Sequence, residues 1–119
     1  MNLAILVGRL AAEPEYGTTA SGKKWCRFRV ACNRRFVGAD GRREADFLSC
    51  VAWGDLAIHV DSYFHTGMGI IVRGWIQTGS YTGNDGIKRF TTEIVAEGVE
   101  FGDSRAKVPE EGADYGNQA

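Results

Sequence analysis

Only one stretch of this chain, "GDLAIHVDSYFHTG" from Gly54 to Gly67, carries helical spacing. Leu56, Val60 and Tyr63 or Phe64 recur at that period, Asp55 is the expected N-cap and Gly67 the stop, so a helix is expected over about Asp55–Phe64. The other apolar runs are short and of strand type. Strands are expected at about Asn2–Leu10, Lys24–Arg35, Asp46–Trp53, Gly69–Thr78 and Lys88–Ala96. Asp-Gly pairs in "GADGR" and "GNDGI" mark two hairpin turns.

Five strands with one helix between the third and fourth is the element order of an OB-fold, an all-β, five-stranded, partly open Greek-key barrel. Closure suits strands of this length, because a flat sheet would leave long edges open to pairing with other chains. The 119 residues suffice for one domain with its own core. That domain is expected to span 1–102. Beyond it "GDSRAKVPEEGADYGNQA" loses periodicity and turns polar, so 103–119 is expected to be a disordered tail. No run reaches the roughly 18 apolar residues of a membrane helix. The N-terminus lacks the basic region and cleavage site of a signal peptide, so a cytoplasmic protein is expected.

Strand alternation divides "ADFLSCVAWGD" into two faces. Leu48, Cys50 and Ala52 form a core face, while Phe47, Ser49, Val51 and Trp53 form the other, with a large aromatic at each end. In "KKWCRFRVACNRRF" the inward set is Cys26, Phe28, Val30 and Cys32. The outward set is Trp25, Arg27, Arg29, Ala31 and Asn33. The first strand is apolar on both faces, Leu3, Ile5 and Val7 alternating with Ala4 and Leu6. A small barrel has one inside, so the second face is expected to be covered by the helix, a loop or another subunit.

The formal net charge of −1 conceals a basic segment: Lys23–Arg43 holds eight basic residues and one acid. Such a run is either a solvated face or a polyanion footprint. Interleaved with outward aromatics it suits an unpaired nucleic-acid strand, whose bases stack on rings while guanidinium groups meet phosphates. A duplex reader would instead present a groove-filling helix. The chain has no phosphate-binding glycine loop and no nucleophile elbow. Cys26, Cys32 and Cys50 lie inside strands and are expected as reduced, buried thiols. No C-x2-C pair occurs, and His59 and His65 are six apart, so neither a metal site nor a cofactor is expected.

Four segments, "NLAILVGRLAAEPEY", "FRVACNRRF", "DFLSCVAWGDLA" and "YTGNDGIKRFTTEIV", resemble the bacterial single-stranded DNA-binding protein family in order and spacing. The resemblance covers about residues 1–101. It implies an OB-fold homotetramer that binds single-stranded DNA independently of sequence in replication, recombination and repair, nucleoid-associated, without catalysis or cofactor. By position it places stacking aromatics at Phe36, Phe47, Trp53 and Tyr81, with Tyr81 in a long loop between the last two strands. Phosphate contacts are expected from Arg9, Arg27, Arg29, Arg34, Arg35, Arg42 and Arg43, with Arg73, Lys88 and Arg89 as additions. Leu3, Ile5, Val7, Ile71 and Trp75 are expected at the subunit interface.

The chain departs from the family in four ways. Trp25 and Trp75 have no counterpart among the family's stacking residues. Asp55 stands where a basic residue is common, and "RGWIQTGSYTGNDG" is less basic than in many relatives. Family members usually end in an acidic tip that recruits replication and repair proteins; this chain stops at "DYGNQA" without that tip, as a truncated piece or a short phage or mobile-element variant would, so recruitment of such proteins is not implied through it. Two other readings stay open: a dimeric OB-fold accessory protein of replication restart, and a structural β-barrel whose aromatic face binds protein. RNA also offers unpaired bases.

Overall fold

The computed structural model describes residues 1–103. Its elements are β1 (Ala4–Leu10), β2 (Glu15–Thr18), β3 (Lys24–Val37), β4 (Arg43–Trp53), α1 (Asp55–Tyr63), β5 (Gly69–Thr82) and β6 (Lys88–Phe101). The five long strands form a closed barrel in the order β1-β5-β6-β4-β3, sealed by pairing of β1 with β3, with β2 added along β3. The expected 103–119 tail, apart from Asp103, lies outside the described residues.

Two seams of the barrel are narrow. β1 meets β3 only through Arg9–Ala31 and Leu10–Val30, and β4 meets β6 in parallel only through Cys50–Ile94 and Val51–Val95. Beyond those pairs, the β3–β4 and β5–β6 hairpins run on as separate two-stranded arms, paired as far as Val37–Arg43 and Thr82–Lys88. Both arms turn with the same chemistry. The Gly41 N–H donates to the Gly38 carbonyl, and the Gly86 N–H to the Gly83 carbonyl. Asp40 and Asp85 accept from the backbone N–H two residues on, and Gly41 and Gly86 hold φ of 82° and 78°. This is the type I turn with a left-handed glycine that Asp-Gly favours.

Several expectations need correction. β2 was not anticipated; four residues are too few to show a period. β3, β4 and β5 run further into their arms than expected, because Arg, Asp, Gly and Ser in "NRRF", "READ" and "TGSYTG" obscure the pattern, and β6 continues past Ala96 to Phe101 beside the start of β5. Tyr81 therefore belongs to a strand, opposite Arg89, rather than to a loop. Asp55 is the first helical residue, not the N-cap. Gly54 takes that place at φ 66°, where a side chain would be strained, and no side-chain capping bond forms.

The core contains Leu10, Cys26, Phe28, Val30, Cys50, Ala52, Val60, Phe64, Ile70, Val72 and Ile94, matching the inward sets of β3 and β4. Leu48 and Cys32 are only half-buried, since they sit where the arm leaves the barrel. α1 closes the barrel with Ala57 and Val60, and Phe64 stacks on Phe101 at 4.6 Å between ring centroids. All three cysteines are free thiols, and burial pushes Cys50 up to about 12 and Cys26 to about 11. Among the described residues no helix is long and apolar enough to cross a membrane.

Candidate nucleic-acid interface

The outward face of β3 and β4 is built by register. Trp25 stands opposite Trp53, Arg27 opposite Val51, Arg29 opposite Ser49 and Ala31 opposite Phe47. Antiparallel partners share a face, so the aromatics and arginines of two separate sequence runs meet on one surface. Phe47 and Trp53 are 54% and 39% exposed, so neither ring is packed into protein. Each carries a cation. The Arg29 guanidinium carbon lies 5.3 Å from the Phe47 centroid, and Lys23 Nζ lies 4.8 Å from that of Trp53. At such distances the ring quadrupole attracts the charge, so each ring has a cation beside it.

Val51 departs from its outward neighbours by being 1% exposed. It lies where β4 is flanked on both sides, in a row running Arg27, Val51, Val95, Trp75 across four strands. Val95 beside it is buried as well, while Arg27 and Trp75 at the two ends of the row are exposed. Between Phe47 and Trp53 the outward face thus has exposed Ser49 followed by buried Val51.

The remaining expected residues divide. Phe36 is exposed near the end of β3, and Arg35, Arg42 and Arg43 lie in the same arm with no acidic partner among the described residues. Arg34 is committed: it donates to Asp46 from Nε and Nη2, at 3.2 and 3.0 Å to Oδ1, and its Nη1 lies 3.2 Å from Glu44. Hydrogen bonding to Asp46, with the charges of Asp46 and Glu44, raises its pKa further. Arg27 faces Glu93 at 3.7 Å, and Arg89 is held by Asp85 at 2.6 Å. Arg9 is on the row of Ala31 and Phe47, but its guanidinium is bound to Asp103.

Arg73 falls elsewhere. It sits opposite Ile5 on the outer side of β1 and β5, 3.7 Å from Glu97. There Leu3, Ile5 and Val7 are exposed, with Ile71 opposite Val7 and half-buried, and Trp75 opposite Val95. The described residues leave this apolar stripe uncovered by helix or loop.

Two exposed cation–ring pairs were missed from sequence. Lys23 belongs to the basic run, but only the β3–β4 register brings it over Trp53. Phe90 is 78% exposed, with Lys88 Nζ 5.6 Å from its centroid. It shares the phase of core Ile94, and alternation alone would bury it; it is exposed because the arm has left the barrel.

The single-strand binding protein family model matches residues 1–102. A single-stranded DNA-binding protein of Halalkalibacterium halodurans is 40% identical over 117 residues, covering 98% of this chain and 70% of that protein. Single-stranded DNA-binding protein 3 of Listeria innocua is 43% identical over 105 residues, covering 88% and 66%. A solved structure described as the Plasmodium falciparum SSB complex with ssDNA superposes with a TM-score of 0.76 at 24% identity, over 87% of this chain and 96% of that one, which establishes the OB-fold. With the family model spanning the whole barrel and relatives at this identity over most of their length, the chain belongs to the single-strand binding protein family.

Proposed function

We propose that this protein binds single-stranded DNA independently of sequence and coats it during replication, recombination and repair, acting by contact rather than catalysis in the bacterial cytoplasm. Bases stack on Phe36, Phe47, Trp53 and Tyr81. Phosphates are met chiefly by Arg29, Arg35, Arg42, Arg43, Lys23 and Lys88, while Arg9, Arg27, Arg34 and Arg89 are partly neutralised by carboxylates. The observation that carries this reading is the pair of exposed rings, Phe47 and Trp53, on one outward face, each with its own cation.

The working form is a homotetramer. The uncovered stripe of Leu3, Ile5 and Val7 supports association, since contiguous apolar surface of this kind marks interfaces. Fluorescence titration with oligo-dT, oligo-U and duplex DNA at two salt concentrations tests the binding. Tight, salt-sensitive binding of oligo-dT with weak duplex binding is expected. Equal affinity for duplex, or none for oligo-dT, overturns the reading, and stronger binding of oligo-U moves it to RNA.

A further inference from the structure

Trp25 occupies the outward face at the β2 end of the aromatic row, and the four stacking positions above do not include it. We propose that Trp25 is a further base-stacking platform, taking one more nucleotide of the bound strand beyond Trp53. The inference rests on the single-stranded DNA reading of that face.

The position of the ring carries the proposal. Trp25 pairs with Gly17 of β2 on one side and with Trp53 of β4 on the other. A Cβ built at Gly17 would fall 2.4 Å from Cζ2 and 2.7 Å from Cε2 of Trp25. The indole therefore lies over β2, in space that only a glycine leaves empty. Although Trp25 and Trp53 are direct cross-strand partners, no ring contact joins them among the described residues. A larger residue at 17 would push the indole up toward Trp53; with glycine there the two rings make no contact with each other.

The charge around the ring fits the same ligand. Arg27 lies 5.5 Å from the Trp25 centroid, and Lys23 lies over Trp53. Arg27 is shared with Glu93 and faces Glu15 across the strands, so Lys23 and the adjacent exposed Lys24 are the cations left to meet a phosphate here. The indole is half-buried over Gly17, but that packing does not call for an aromatic ring. Trp25 is outside the buried core cluster, and shielding a glycine in a surface strand requires only an apolar side chain.

That difference sets the test. Oligo-dT carrying 5-iodouracil is crosslinked to the unmodified protein, and adducts are mapped by mass spectrometry after trypsin, which releases Trp25–Arg27 as its own peptide. An adduct on that peptide is expected alongside one at Trp53. Isotherms of W25L and W25F with oligo-dT complete the comparison, with thermal midpoints as the check on folding. W25L keeps the apolar cover but removes the π-face, so it is expected to bind roughly 5- to 150-fold more weakly, while W25F retains most of the affinity. Adducts at Trp53 with none at Trp25, or a folded W25L that binds like the unmodified protein, overturn the proposal. Should W25L fail to fold, the crosslink alone decides. Failure of the unmodified protein to bind oligo-dT is the separate result that sinks the function itself.

Discussion

Arg9 grips Asp103 with both ends of its guanidinium, Nη1 to Oδ2 at 3.0 Å and Nη2 to Oδ1 at 3.2 Å. The same carboxylate accepts the Gly69 N–H at 3.0 Å. A residue just past the last strand thus holds an arginine that stands on the row of Ala31 and Phe47. Asp103→Asn removes the competing charge. Affinity for oligo-dT is expected to rise, and the log–log salt dependence to steepen by about 0.7, the value for one more phosphate neutralised on a single strand. An unchanged slope in salt-titrated isotherms would mean that Arg9 lies off the path.

The two faces of β4 and β5 separate binding from stability. Trp53→Ala is expected to weaken oligo-dT binding by about 1–3 kcal/mol, with the unfolding midpoint nearly unchanged. Ile70→Ala empties a fully buried site in the barrel and should cost about 2–5 kcal/mol of stability. Paired denaturation curves and isotherms read both effects. Trp53→Ala unfolding as badly as Ile70→Ala would mean that its ring packs against protein.

Adjacent arginines should behave differently. Arg34 is held by Asp46 and Glu44, whereas Arg35 has no acidic partner among the described residues. Arg35→Ala is expected to flatten the salt dependence by about 0.7, and Arg34→Ala by less. Equal slopes for the two variants would show that the Arg34 pairs open when DNA binds.

Ile5→Asp places a charge in the middle of the exposed stripe of β1. Light scattering of the unmodified protein is expected to give about four times the 13.0 kDa chain mass. The variant should give a smaller species with an intact fold by circular dichroism. A tetramer that survives Ile5→Asp would move the interface elsewhere.

Glu13 ties the loop after β1 to the end of the helical segment, accepting from the Thr66 N–H and hydroxyl at 2.8 Å and facing His65 Nδ1 at 3.1 Å. The Thr66 bonds, with the His65 contact, lower its pKa from 4.5 to about 2. A lowered folded-state pKa stabilises above the unfolded value and stops doing so as pH falls toward the folded one. The thermal midpoint of Glu13→Gln should therefore lie below that of the unmodified protein at pH 7, and the gap should close between about pH 4.5 and 2. A gap constant across that window would assign the effect to packing.

Alternation and turn chemistry are local properties, and the sequence carried them. They were enough to order five strands around one helix, to bury Cys26, Phe28, Val30, Cys50 and Ala52, and to turn Phe47 and Trp53 outward. The Asp-Gly turns fixed both arms. Tertiary structure decided what depends on partners far along the chain. Val51 has the same phase as Phe47, yet it is buried because β6 joins β4 beside it. Phe90 has the phase of Ile94, yet it is exposed because the β5–β6 arm outruns the barrel. Which arginines are neutralised depends on carboxylates up to 94 positions away, and the lean of Trp25 depends on Gly17 in a strand too short to show a pattern. A period-two pattern specifies which residues share a side of one strand. Which strands lie beside it, and how far they accompany it, is set by the closure of the whole barrel.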